Sequence, residues 1–297
     1  ESMLLEAGFF AIFLGPAWCE PPLIPILALR WMLFRTELGA GLIKLRHDSC
    51  WRDLTCLFYH YETQPIPNPL SWHFHHFPRW VHRAGAGFSH FVQIVVPFGL
   101  FFPQPFSACA GALIIFHQLL LVVSGNYSWL NWLTIVLGVT ALSDSSLASV
   151  LPLESGATSA RPAAYELTLY ALAGVTLVLS IKPTMNFFSK HQRMNFSYNP
   201  LHLVNAYGAF GSVTRERYEV VLEGADDADA EEWKAYEFKG KPGYLRRRPP
   251  QIAPYHLRLD WLMWFLPLGG VVRHEVWFAN LIEKLLEGDR QVAKLLR

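Results

Sequence analysis

Arg30, Glu37 and Lys44 recur at seven-residue intervals inside an otherwise apolar stretch, with Arg35 adding a fourth charge between them. On a helix that spacing aligns the three along one stripe of alternating sign. Such groups are costly against hydrocarbon, so the stripe is expected to face other helices or a wet cavity and to pair internally. Two roles fit: a buried ion-pair ladder holding a bundle together, or a polar site within a membrane. Gly39 and Gly41 beside it permit close backbone approach, which is a packing device. A second concentration is imidazole: His47, His60, His73, His75, His76, His82 and His90 put seven of the chain's 12 histidines into one segment. Metal binding has to be weighed there. His73, His75 and His76 alternate with Trp72, Phe74 and Phe77, however, and no carboxylate or cysteine completes a recognised ligand spacing. We read interfacial aromatic and imidazole packing rather than a metal site. Cys50 and Cys56 form a disulfide if their polar loop meets an oxidising compartment, and are otherwise two unrelated thiols. No nucleophile triad, phosphate loop or dinucleotide fingerprint is present, so catalysis has no positive support and no cofactor is implied.

The elements that must position these groups are mostly apolar. Of 297 residues, 52% are hydrophobic, 14% aromatic and only 16% charged, which is greasier than an average soluble domain. A net charge of +1 provides no global field for nucleic acid. Stretches that approach the roughly 20 residues of a bilayer span lie at 23–46, 88–102, 107–123, 129–143 and 164–181, and 3–14 reads as the tail of another. Ser124-Gly125-Asn126-Tyr127-Ser128 splits the long hydrophobic block, because small turn-forming residues suit a tight connection. The expected fold is a polytopic α-helical membrane bundle with a C-terminal β-rich (α+β) soluble domain. Residues 1–22 end a preceding span, 23–182 form a bundle of about five helices including polar loop 47–87, and 183–297 form a domain that reads as truncated at its C-terminus.

Five crossings after Pro22 place loop 47–87, the 124–128 turn and everything after 182 on one face, here called face X. Arg52, Arg79, Arg83, Lys182 and Lys190 fall on X and Arg161 opposite, which by the positive-inside rule makes X cytoplasmic. Asn126-Tyr127-Ser128 and Asn195-Phe196-Ser197 are glycosylation-type tripeptides on the same face and point the other way. Beyond 182, residues 217–223 and 233–239 alternate like half-buried strands around an acidic tip at 226–232. Trp277–Leu286 is amphipathic, and Gly288 is a natural stop. Pro65, Pro67 and Pro69 force a stiff, extended path, suited to a preformed ledge for an unfolded partner or to a cover over the charged stripe. Arg52, Asp53 and Glu62 either pair with the stripe near Lys44 or are solvated surface charge.

Three runs carry a specific resemblance. Cys50-Trp51-Arg52-Asp53-Leu54-Thr55-Cys56 with His60-Tyr61-Glu62-Thr63-Gln64-Pro65-Ile66-Pro67-Asn68-Pro69 resembles the signature of lipase maturation factors. So do Asn205-Ala206-Tyr207-Gly208-Ala209-Phe210-Gly211-Ser212 and Pro254-Tyr255-His256 followed by Arg258-Leu259-Asp260-Trp261-Leu262-Met263-Trp264-Phe265, in family order. The resemblance implies a membrane chaperone that assists folding and assembly of secreted lipases or related exported clients, through loop 47–87 and the C-terminal domain. It implies the endoplasmic reticulum membrane in a eukaryote and the plasma membrane in a bacterium. The expected partners are an exported client and membrane lipids, with no nucleic acid. Animal members carry cysteines in the hairpin region where this chain has Gly240 and Pro250, a departure that points to a bacterial or divergent member. The residues put forward for client contact or a polar site are Arg30, Arg35, Glu37, Lys44, Trp51, Arg52, Asp53, His60, Tyr61, Glu62, Gln64, Pro67, Asn68, Asn205, Tyr207, Phe210, Tyr255, Arg258, Asp260, Trp261 and Trp264. The charged helix is also weakly similar to that of the vitamin K-dependent carboxylase group, which would make the chain a membrane enzyme; a transporter is more remote, because no internal repeat is seen.

Overall fold

The computed structural model describes residues 2–16, 18–148, 152, 159–227, 229–269 and 276–297. Much of the Ser/Ala-rich 144–163 connection therefore lies outside the described residues. The chain divides into two compact units: 1–56, 80–119 and 132–213 form the first, and 57–79, 120–131 and 214–297 the second.

The first unit is helical. α1 (Ser2–Ile12) is followed by α2 (Leu23–His47) and a single turn, α3 (Ser49–Arg52), whose N-cap Asp48 accepts from the Cys50 amide. α4 (Leu57–Thr63) and α5 (Ser71–His75) belong to the second unit. α6 (Arg79–His90) continues through a π-turn at Phe91–Val95 and a 3-10 turn at Val96–Phe101, giving one apolar rod from Arg79 to Phe101. α7 (Phe106–Ser124), α8 (Trp129–Val139), the short α9 (Asp144–Ala148) and α10 (Ala163–Phe188) complete the series.

Of the five expected spans, three are long and apolar enough to cross a bilayer: Arg79–Phe101, Phe106–Ser124 and Ala163–Phe188. α2 has the length, 25 residues, but carries Arg30, Arg35, Glu37 and Lys44. α8 has 11 residues, about 16 Å of helix against a hydrocarbon core of about 30 Å. It nevertheless runs back along α7. Ser107 Oγ and Gln104 Nε2 donate to the Ala141 carbonyl at 3.3 and 3.0 Å, near the start of α7. A β-carbon on Gly111 would sit 2.7 Å from the Gly138 carbonyl oxygen, so the small residues set how closely the two helices meet.

The second unit departs from the expected β-rich module. Among the described residues its strands are two residues each: β1 (Glu223–Gly224) pairs antiparallel with β2 (Lys234–Ala235). The hairpin lies where the alternation places it, but the ladder is short. Alternation here marks which side chains turn inward, and the inward ones, Val220, Leu222, Tyr236 and Phe238, pack on helices rather than on a second sheet. α11 (Arg258–Phe265) supplies Met263 to that core and α12 (Val276–Leu286) Phe278 and Leu281, joined by Leu266 and Leu296, with Val292 of α13 (Arg290–Ala293) packed against it.

Candidate functional site

Within the first unit, the expected ladder along α2 does not form. Among the described residues no carboxylate lies within 4 Å of Arg30 or Lys44. Residues seven apart are about 10 Å apart along the axis, so the charges do not touch directly; Glu37 and Lys44 are instead bridged by Gln93, which bonds to both. Arg30 caps two helix ends, donating from Nε to the Thr140 carbonyl at 2.8 Å and from Nη1 to the Leu100 carbonyl at 3.3 Å. Glu37 accepts from Gln118 of α7 at 2.8 Å. Lys44 donates to Ser89 Oγ at 3.1 Å and to Gln93 Oε1 at 2.8 Å, with Trp51 covering its ammonium at 4.4 Å from the ring centroid.

Arg35 holds the ionic centre. Its guanidinium pairs with Glu6 of α1, and both side chains are fully buried. The second Glu6 oxygen accepts from the Asn205 amide at 3.0 Å, Asn205 Nδ2 at 2.9 Å and Tyr207 Oη at 2.8 Å. Arg35 returns a bond to the Asn205 carbonyl. Burial, followed by the Glu6 charge, pushes the Tyr207 phenol up, so it remains a donor. The run from Asn205 continues along α2: the Tyr207 carbonyl occupies the place a Gly39 β-carbon would need, and Trp51 Nε1 donates to the Phe210 carbonyl at 2.9 Å. Val204 and Phe210 hold positive φ angles of 52° and 56° in this run, backbone geometry that costs about 1–3 kcal/mol at a non-glycine residue and needs such surroundings to persist. Glu6, which the sequence reading left out, is the sole charge between Met3 and Leu14, and the reasoning that singled out α2's charges would have found it. Cys50 and Cys56 are joined as a disulfide. Arg52 and Asp53 are exposed, away from the stripe.

In the second unit, three distant segments meet on Asn126, which is 1% exposed. Its Nδ2 donates to the Pro67 and Pro250 carbonyls at 3.1 and 2.9 Å, and its Oδ1 accepts from the Ile252 and Ala253 amides at 2.9 and 3.0 Å. The Asn126 carbonyl contacts His256 Nε2 at 2.6 Å, and its amide donates to the Ile66 carbonyl at 3.3 Å. Every polar atom of this asparagine is used, which removes it as a glycan acceptor in the folded chain; Asn195 is exposed. Around this hub, His60 and Tyr127 stack with planes 3° apart and share a 2.6 Å hydrogen bond. Burial raises both Tyr127 and Tyr61, the latter to about 12. Gln64 Nε2 donates to Ser71 Oγ at 2.7 Å, and Asn68 Nδ2 to the Val123 carbonyl at 2.8 Å.

The third family-like run is divided in its roles. Asp260, 1% exposed, caps the turn after β2 by accepting from the Gly240 and Lys241 amides at 2.6 and 2.8 Å. Trp261 stacks on His256 with centroids 4.4 Å apart, and Arg217 lies over Trp264 at 4.7 Å. Tyr255 and Arg258 are exposed. Glu62 faces His75 at 3.5 Å, so it does not join the α2 charges. His76 leans on Trp72 with centroids 4.0 Å apart and contacts its carbonyl at 2.7 Å, which is the aromatic and imidazole packing expected of this stretch.

Three helices long and apolar enough to span a bilayer, with buried charges packed among the helices of the first unit, define an integral membrane protein. The chain belongs to the lipase maturation factor family: the lipase maturation factor transmembrane domain matches residues 1–149 and the lipase maturation factor C-terminal domain residues 203–297. It is 43% identical to lipase maturation factor 1 of Bos taurus over 327 residues and to that of Homo sapiens over 326. It is 27% identical to lipase maturation factor 2 of Homo sapiens over 422. All of this chain is covered in these comparisons, against 58%, 57% and 59% of the relatives, so it spans a little over half of their length. No solved structure matches it. The weaker likeness of α2 to the carboxylase group gains no support from these comparisons.

Proposed function

We propose that this chain is a membrane-bound maturation factor that assists folding and assembly of secreted lipases, with its second unit as the client-handling surface. The observation that carries the reading is Asn126, which gathers the proline-bearing loop, the end of α7 and the Pro250–Ala253 segment into one module. A shared face for these segments is also what five crossings would give, with α2, the Arg79–Phe101 rod, α7, α8 and α10 each passing once. A preformed surface suits the handling of an incompletely folded client, because the ordering cost is already met in the loop. The Cys50–Cys56 disulfide favours an oxidising compartment for face X, hence the endoplasmic reticulum lumen in a eukaryote or the extracytoplasmic side in a bacterium.

The decisive experiment removes the chain from a cell secreting a lipase. Specific activity of the lipase should fall while its transcript is unchanged; unaltered specific activity rejects the proposal. Topology is checked separately, with one cysteine placed in the 226–232 tip after Cys19 and Cys109 are replaced, the disulfide being left intact. Labelling of sealed membranes from the lumenal or extracytoplasmic side is expected.

A further inference from the structure

The second unit contains a groove of about 710 Å³ that the client reading does not require. One wall is the Pro67–His76 stretch and the other the Lys241–Pro249 stretch. The first wall is tied to the end of a membrane span. Asn68 Nδ2 donates to the Val123 carbonyl at 2.8 Å and Ser71 Oγ to the Ser124 carbonyl at 2.9 Å, both in the last turn of α7. The same wall ends three residues before Arg79, where the next apolar rod begins. A groove tied to the ends of two candidate spans would meet the bilayer surface.

The opposite wall carries Arg246-Arg247-Arg248. Arg247 is neutralised by Glu237 at 3.1 Å. Arg248 is steadied by the Pro69 carbonyl, which accepts from Nε and Nη2 at 3.1 and 3.0 Å, bonds that orient the guanidinium without cancelling its charge. Among the described residues no carboxylate lies within 4 Å of Arg246 or Arg248, and Glu62 is the groove's one acidic lining residue, facing His75. Between these cations and the water, apolar groups are left uncovered: Leu245 is 100% exposed, Trp72 65% and Tyr244 62%. Cations with bare leucine and aromatic rings at a helix end are the composition of a bilayer interface, where rings lie at headgroup depth and arginines meet phosphate.

We propose that this groove binds the headgroup of an anionic phospholipid, with Arg246 and Arg248 on the phosphate and Leu245 and Trp72 against the upper acyl chain. An acidic peptide would satisfy the arginines but would leave Leu245 in water, which is why lipid is the favoured occupant. The proposal stands apart from the client reading and can fail without it.

The test uses the full chain purified from membranes in neutral detergent and incorporated into nanodiscs of phosphatidylcholine with 20% phosphatidylserine. Bound lipid is counted by native mass spectrometry after release, for the wild type, Arg246→Gln/Arg248→Gln and Arg246→Lys/Arg248→Lys. Retention of phosphatidylserine over phosphatidylcholine is expected to fall at least about tenfold in the glutamine pair, a lower bound set by one of the two charge-assisted contacts removed, and to be partly kept in the lysine pair. An unshifted melting temperature establishes that the glutamine pair is folded; if it is shifted, Leu245→Ser, which leaves every arginine bond in place, provides the same readout. Equal retention in wild type and in the folded variant overturns the proposal. So does displacement by inorganic phosphate or by a poly-glutamate peptide at lower concentration than by dihexanoyl-phosphatidylserine, since either makes the site an anion or peptide site instead.

Discussion

Replacing Asn126 with alanine removes one side chain from a position where three stretches of chain, 66–67, 124–128 and 250–256, have no covalent reason to be together. Four hydrogen bonds go with it. The Ile252 and Ala253 amides lose their acceptor while half-buried, and an unpaired buried donor costs about 1–3 kcal/mol. Partial exposure puts each at the low end, so the pair contributes about 2 kcal/mol. The Pro67 and Pro250 carbonyls each lose a neutral donor worth about 0.5–1 kcal/mol, for a total near 3 kcal/mol. Asn126→Asp should be worse than alanine: it keeps the two accepted bonds but aims a carboxylate oxygen at two carbonyl oxygens. The assay is thermal unfolding in detergent, with limited proteolysis in the 241–257 segment reporting on the hub itself. Both variants should expose that segment while helix content is retained, in the order wild type, alanine, aspartate. An alanine variant within 1 kcal/mol of wild type, or an aspartate variant more stable than alanine, would refute the assignment of Asn126 as the fastener of this module.

Other outcomes follow from the same geometry. Arg35→Met leaves Glu6 charged and sealed, costing about 3–5 kcal/mol, and Glu6→Leu added to it should recover much of that in a thermal-melt double-mutant cycle; simple additivity would argue against a direct pair. Gly39→Ala should destabilise despite alanine's better helix propensity, because its methyl meets the Tyr207 carbonyl, and a rise in melting temperature would contradict that contact. Burial, opposed only in part by the bond to the Asn126 carbonyl, holds His256 below its ordinary 6.5. The unfolded chain therefore takes up that proton first as pH falls, so the contribution is complete above 6.5 and diminishes below it. The difference in melting temperature between wild type and His256→Asn should accordingly shrink as pH is lowered from about 7.5 to about 5.5. Cys50→Ser should cost about 2 kcal/mol, the entropy of closing a short loop, and alkylation before reduction should leave both native thiols unmodified.

How far the sequence leads depends on whether a residue's partner is near it along the chain. The spans at 107–123 and 164–181 are local properties of composition, and they appear as α7 and α10. The 217–239 hairpin is found at its expected place because alternation and the acidic tip are local too. Its breadth as a sheet is not local: whether a strand continues depends on a neighbour to pair with, and here the inward side chains met helices. Charge in apolar surroundings rightly selected Arg35, Glu37 and Lys44 as buried, since desolvation demands company whatever the company is. What it could not supply was the company itself. A seven-residue period makes Arg30, Glu37 and Lys44 look like direct partners, yet seven residues separate them by two helical turns, so Arg30 turns to a carbonyl and Glu37 and Lys44 meet only through Gln93.

Asn126 shows the same limit from the other side. Read locally, Asn126-Tyr127-Ser128 is a turn and an acceptor tripeptide, and both readings follow from three adjacent residues. In the fold the turn is kept and the acceptor is lost, because the amide is claimed by prolines near residues 67 and 250. Prolines cannot donate from their own backbone nitrogen, so stretches rich in them reach neighbours through carbonyls and need a donor from elsewhere. Gln64-Pro65-Ile66-Pro67-Asn68-Pro69 and Arg248-Pro249-Pro250 are two such stretches, and Asn126 supplies the amide protons between them. That complementarity is written in the sequence as two acceptor-rich, donor-poor segments and one asparagine in a turn. It adds to the apolar core around Met263 and Phe278 a second, polar reason for the second unit to assemble.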